Sequence, residues 1–220
     1  MPKMPATGHS RLKTPLAATR PKPVFVDQRE GKVRLRTLTP AEVTPEIAEW
    51  LSDPAVMEGV NAPKTAMGLE AFRAYVASFD QIRRNLMAIR LAPDDRPIGI
   101  AMMEVDLRHA IGSIHMLIGD ADNRGQGIGI AAAILMIRNF FLDRKLEKLS
   151  IAPLERNEKV IAICESYGLR LEGILRSHRI DGRTGERLDQ RYYGLTREEY
   201  MKLRERALAA QATRPEAQNR

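Results

Sequence analysis

Six consecutive residues, Arg124-Gly125-Gln126-Gly127-Ile128-Gly129, have the types and spacing to hold a phosphate group. Glycine allows positive φ and lets the backbone come close to an anion. The first turn of a helix offers N–H groups with no intrahelical partner, and the helix dipole adds partial positive charge. Two familiar phosphate loops are excluded by the order of residues. No Gly-Lys-Ser/Thr ends the run, and there is no Gly-x-Gly-x-x-Gly with a ribose-binding acid beyond it. What remains reads Arg-x-x-Gly-x-Gly, with Arg124 bringing a full charge to the entrance.

Such a loop needs an extended segment before it and a helix after it. Ser113 to Ile118 is apolar and extended, and from about Ile130 the residues Ile130, Ile134, Ile137 and Phe141 keep helical spacing. Upstream, Val33 to Leu38 alternates with period two and predicts a strand. Thr44-Pro45-Glu46 starts a helix that runs to about Ser52, where Asp53-Pro54 breaks it. A second helix is expected over Leu69 to about Arg83, with Phe72, Tyr75, Val76 and Phe79 on one face. Strands follow at Asn85 to Leu91 and Pro97 to Val105, and Asp106 to Ile111 reads as a hairpin turn.

Past the glycine loop, Leu149 to Leu154 predicts a short buried strand. Asn157 stands where an N-cap belongs, followed by Val160, Ile163, Cys164 and Tyr167 at helical spacing, and Gly168 ends that helix. Gly173 to Ile180 and Arg187 to Leu195 predict a last pair of strands joined through Asp181 to Gly185. The fold class is α/β (α+β), with a mixed, mainly antiparallel sheet flanked by helices and one crossover through the helix of the glycine loop.

Composition narrows the function. The single cysteine, Cys164, excludes an intramolecular disulfide and a cysteine zinc cage, and His9, His109, His115 and His178 have no ligand spacing, so no metal is expected. No apolar run reaches the length of a membrane span, and the N-terminus lacks a secretory core, which predicts a cytoplasmic protein with no membrane partner. The net charge of +7 lies in the ends. Residues 1–32 hold seven Lys/Arg against two acids, residues 201–220 hold five against two, and residues 33–200 hold 23 against 24. A near-neutral core lacks the basic stripe of a nucleic-acid binder, so nucleic acid is not an expected partner. The organisation expected is a basic, Pro-rich, disordered tail over 1–30, one domain over 31–203 and a basic tail over 204–220.

The Arg-x-x-Gly-x-Gly loop resembles the pyrophosphate-binding motif of the GNAT superfamily of acetyl-CoA-dependent N-acetyltransferases. The order of elements over residues 33–200 matches that fold. Five segments are similar to the branch containing ribosomal-protein N-terminal, spermidine and amino-sugar acetyltransferases: Leu35-Arg36-Thr37-Leu38-Thr39, Trp50-Leu51-Ser52-Asp53-Pro54, Ile118-Gly119-Asp120, Asn157, and Tyr167-Gly168-Leu169 with Glu172-Gly173. The resemblance implies acetyl-CoA as cosubstrate. Arg124, Gly125, Gln126, Gly127, Ile128 and Gly129 would hold its pyrophosphate, Leu117 and Ile118 would pair with pantetheine as an added strand, and Asn157 would lie near the thioester arm.

The chemistry so implied is attack of an amine on a thioester, which asks for a base and sometimes an acid. Glu104 is the expected base, His115 a proton relay, and Asp106 and His109 follow behind them. Many relatives carry a tyrosine where this chain has Cys164, whose thiol is then the candidate acid. The acceptor the resemblance implies is a small-molecule amine, a polyamine among them, or a protein N-terminus, with an amino-sugar nucleotide favoured because Arg34, Arg36, Arg176 and Arg179 lie in segments that flank the acceptor side in that fold and arginine suits phosphate. A homodimer is compatible with the sequence. Two other classes remain: a non-catalytic acyl-CoA-binding module, and a domain tethered to ribosome or nucleic acid by its tails.

Overall fold

The computed structural model describes residues 21–61 and 67–212. In chain order these form β1 (Asp27–Glu30), β2 (Val33–Thr37), α1 (Pro45–Glu49), α2 (Pro54–Val60), α3 (Leu69–Ala77), β3 (Arg84–Leu91), β4 (Arg96–Asp106), β5 (Ile111–Ile118), α4 (Ile128–Arg138), β6 (Lys148–Ile151), α5 (Glu158–Ser166), β7 (Arg170–Ile180), β8 (Arg187–Thr196) and α6 (Arg197–Ala212). The strands make one sheet in the order β1-β2-β3-β4-β5-β6-β8-β7. Every neighbouring pair is antiparallel except β5 with β6.

That parallel pair is short. Only Ile111 to Ser113 pair with Lys148 to Ser150, after which the strands diverge and the β6-facing edge of β5 from Ile114 to Ile118 is unpaired among the described residues. Alternation along the strands divides the core. Met103, Val105 and Ile114 face one cluster with Leu135, Phe140, Leu149 and Cys164, while Leu86, Ala88 and Ile100 face a second with Ile47, Trp50 and Phe72. Each fully buried side chain of this size contributes about 1.5–3 kcal/mol, so the two clusters clamp the sheet between α4 and α5 on one face and α1 and α3 on the other.

Several expectations about elements are corrected. Asp53-Pro54 ends one helix and also starts another, because Asp53 caps the Ala55 N–H at 2.9 Å and Pro54 occupies the first turn of α2, where its missing N–H costs nothing. Helix α3 stops at Ala77 rather than near Arg83. On α4 the buried residues are Ile128, Ala132, Leu135 and Met136, whereas Ile134 is 40% exposed. On α5 they are Ile161 and Cys164, and Tyr167 lies at the surface. Asp27–Glu30, within the stretch expected to be disordered, pairs with β2, and α6 continues past 203. Residues 1–20 and 213–220, on which most of the tail expectation falls, lie outside the described residues.

Candidate active site

The glycine loop turns from β5 into α4. Gly125 and Gly127 both sit at φ +76°, in the left-handed region that side chains with a Cβ avoid, and Gly127 is the N-cap of α4. The N–H groups of Gly125, Gln126, Gly127, Ile128 and Gly129 make no hydrogen bond among the described residues. Five such donors at the positive end of a helix dipole form an anion cradle.

Arg124 does not face that cradle. Its Nε donates to the Ile118 carbonyl at 3.1 Å, and its Nη2 donates to the Gly119 carbonyl at 2.6 Å and to Asp53 Oδ2 at 2.7 Å. The expected charge at the entrance is therefore turned inward and neutralised, because a carboxylate and two carbonyls lie within its reach. The Arg124 hydrogen bond, with the Ala55 N–H behind it, holds the Asp53 carboxyl below the usual carboxylate range. Next to this pair the Trp50 ring covers Gly119 so closely that a Cβ there would stand 2.0 Å from it.

Helix α2 carries this connection to the tip of the β7–β8 hairpin. Its C-cap Asn61 adopts the left-handed conformation at φ 52°. Asn61 Nδ2 donates to the Ile180 carbonyl at 3.0 Å, and its Oδ1 accepts from the Gly182 N–H at 2.9 Å and from Arg156 at 3.0 Å. Arg156 also pairs with Asp181 at 3.3 Å. The β7–β8 hairpin tip, the residue before Asn157 and α2 are thus joined. Asn157 itself caps α5 through Val160 N–H at 3.4 Å, and its amide NH2 donates nothing among the described residues.

The open edge of β5 carries Leu117 and Ile118 to the glycine loop. On the adjoining sheet face Glu104 lies opposite Arg84 on β3 and opposite Ser113 on β5, and Ser113 lies opposite Ser150 on β6. His115 is two residues along β5 from Ser113, so it projects from the same face. Ser113 Oγ stands 3.2 Å from His115 Nε2, and Glu104 Oε2 stands 3.8 Å from the same nitrogen. Arg84 Nε is 3.8 Å from Glu104 Oε1. A cavity of about 410 Å3 opens here, walled by Arg84, Glu104, Asp106, Ser113 and Ser150.

The structure thus brings the expected base and relay together. Ser113 and Arg84 join them, two residues that reading the strands singly did not reveal. Asp106 accepts the N–H groups of Arg108 and His109 at 2.9 and 3.2 Å, the work of a turn residue. Cys164 is not brought to the cluster. It is 2% exposed within the core cluster that holds Leu149 and Tyr193, and burial, with the Glu165 charge adding, pushes its thiol up to about 11. The apolar stripe of α5 that put it on the helix also put it in the core. Of the arginines expected for phosphate, Arg34 is held by Asp27 at 2.7 Å and Asp95 at 3.0 Å, and Arg36 pairs with Glu42. Among the described residues no three His, Cys, Asp or Glu gather as metal ligands, and no helix is long and apolar enough to cross a membrane.

Among the described residues, a cradle of unpaired N–H groups thus lies beside a strand edge left open. Residues 32–170 match the profile of the acetyltransferase (GNAT) domain, and the chain belongs to that family. Its sheet, splayed between β5 and β6 and flanked by helices on both faces, is the fold of that family. No curated protein matches in a sequence search. Among solved structures, spermidine N-acetyltransferase from Vibrio cholerae in complex with CoA and spermine is 16% identical, with 78% of this chain and 99% of that one covered and a TM-score of 0.69. Ribosomal-protein-S5-alanine acetyltransferase from Vibrio fischeri is 15% identical, covering 80% and 98%, with a TM-score of 0.68. A GNAT-family acetyltransferase from Bacillus anthracis is 19% identical, covering 80% and 100%, with a TM-score of 0.66. These likenesses establish the fold.

Proposed function

We propose that the protein transfers an acetyl group from acetyl-CoA to a primary amine by direct attack in a ternary complex. Gly125 to Gly129 hold the pyrophosphate of the cosubstrate by their N–H groups, the open edge of β5 at Leu117 and Ile118 receives its arm, and the Asn157 amide serves the same end of the cleft. Arg124 supports this loop from behind. The observation that carries the reading is the meeting of Glu104 and His115 beside Ser113, on the strand whose edge lies open.

The chemistry needs little beyond placement. The acceptor enters as an ammonium, gives a proton to Glu104 or His115 and attacks the thioester carbonyl. A C–N bond forms and the C–S bond breaks. Holding the reactants in one geometry supplies much of the acceleration, and proton transfer adds roughly 10²–10⁴-fold. With Cys164 in the core, the departing thiolate takes its proton from water or from the substrate amine.

The acceptor expected from sequence is an amino-sugar nucleotide, with a protein N-terminus or a polyamine as alternatives. Engagement of Arg34 and Arg36 in internal ion pairs, and of Arg179 Nε with Gln190 Oε1 at 3.2 Å, leaves Arg176 of β7 and the rest of the Arg179 fork as the arginine support for a nucleotide. The burial of Cys164 is what favours the other class, an acyl-CoA-binding module without catalysis. Thiol release decides between the classes: a panel of amines with acetyl-CoA yields free CoA for the transferase, and no release with any amine overturns it.

A further inference from the structure

Several arginines among the described residues engage their donors within the chain, and Arg84 is one that does not. Arg34, Arg36, Arg90, Arg124, Arg144 and Arg156 all donate to carboxylates or carbonyls of the chain. The guanidinium of Arg84 donates no hydrogen bond among the described residues. It is nevertheless fixed. Asp80 Oδ1 accepts the N–H groups of Ile82, Arg83 and Arg84 at 2.9, 2.8 and 2.9 Å, which sets the backbone at the start of β3. The side chain then lies over the Phe79 ring with 4.3 Å to its centre. Such stacking orders an arginine without using its fork of donors.

That fork borders the 410 Å3 cavity and stands 3.8 Å from Glu104, too far for a hydrogen bond and near enough for one small molecule to touch both. The cavity wall is balanced in charge, with Arg83 and Arg84 against Glu104 and Asp106, and Ser113 and Ser150 add hydroxyls. A polyamine would meet the arginines with like charge, and a neutral amine would leave a half-exposed guanidinium unused. We propose that Arg84 is a specificity-determining residue and that the acceptor is a small zwitterion of amino-acid type, its amine at Glu104 and His115 and its carboxylate on the Arg84 fork. This rests on the transferase reading for the amine and goes beyond it for the anion.

The test compares matched acceptors, an amino acid against its carboxamide and phosphoethanolamine against ethanolamine, by CoA release. The wild type is expected to favour the carboxylate over the amide by about tenfold or more in kcat/KM, the factor one moderate charged contact supplies. Arg84→Gln should bring the ratio of carboxylate to amide substrate down to about one by a loss on the carboxylate far larger than any on the amide, and Arg84→Lys should restore part of the preference. Equal use of acid and amide, preference for a polyamine, a preference confined to the phosphate pair, or an Arg84→Gln loss shared by both substrates overturns the proposal. Coenzyme A thermal shift of each variant shows that it is folded. Calorimetry of an N-acetyl amino acid on the CoA-loaded protein separates the two readings. Binding that Arg84→Gln abolishes, without turnover of any amine, keeps the carboxylate site and removes the transferase; no binding to the wild type removes the site.

Discussion

Asp53 and Arg124, 71 positions apart in the chain, share a 2.7 Å ion pair, and the same carboxylate caps α2 while the same guanidinium braces the turn before the glycine loop. Asp53→Asn keeps a cap and removes the charge. It is expected to raise KM for acetyl-CoA several-fold with little change in kcat. The pH sign follows from a depressed carboxyl: its contribution is present above the ordinary value of 3.8 and is lost as pH falls through the lower folded value. The KM difference between wild type and variant should therefore be flat from about pH 5 upward. A difference that grows between about pH 6 and 8 would assign it to another group.

Gly127→Val acts at two levels. The φ of +76° strains any residue with a Cβ, and a branched side chain stands over the N–H groups of the cradle. Coenzyme A should raise the melting temperature of the wild type and leave the variant unmoved. Equal stabilisation of both by coenzyme A would place the pyrophosphate elsewhere.

Glu104→Gln preserves shape and removes a base. Turnover at neutral pH should fall by about 10²-fold with cofactor affinity nearly intact. His115→Gln and Ser113→Ala should show which partner shares the proton. If Glu104→Gln turns over normally and His115→Gln does not, the histidine is the base.

Cys164 provides a control with a chemical readout. Its thiol is buried and pushed up to about 11, so a thiol reagent at pH 8 should label the native chain slowly and the denatured chain at once. A thiol raised in the folded state keeps its proton where the unfolded chain has released it. Stability should therefore decline as pH climbs from about 9 toward 11, and Cys164→Ala should lack that component. Cys164→Ala should retain turnover, whereas a loss of about 10²-fold in a folded variant would make the thiol the acid after all.

Gly119→Ala tests the packing under the loop. A methyl there meets the Trp50 ring, and overpacking of this kind costs about 1–3 kcal/mol. A melting temperature equal to wild type would mean that the ring is not held against Gly119 in solution.

Strand positions were legible because alternation and turn residues are local signals. The hairpin turn at Asp106 to Ile111 set the two strands side by side, while the register that puts Glu104 opposite Ser113 is a finding of the structure. What the sequence concealed depended on distant partners. The direction of Arg124 is decided by Asp53, and the engagement of Arg34 by Asp27 and Asp95. Helix α4 hid its inner face for a different reason. Ile-Gly-Ile-Ala-Ala-Ala-Ile-Leu-Met-Ile is apolar all round, so spacing selects no stripe, and the small Ala132 turned out to face the sheet. Asp53-Pro54 was ambiguous because the same dipeptide stops one helix and starts the next.

Helix α2, pinned to the glycine loop at one end and to the β7–β8 tip at the other, is a rod of seven residues, about 10 Å long. Its two walls cannot part without breaking either the Asp53–Arg124 pair or the Asn61 bonds. The gap between them is thus set by the fold itself, as by a strut of fixed length.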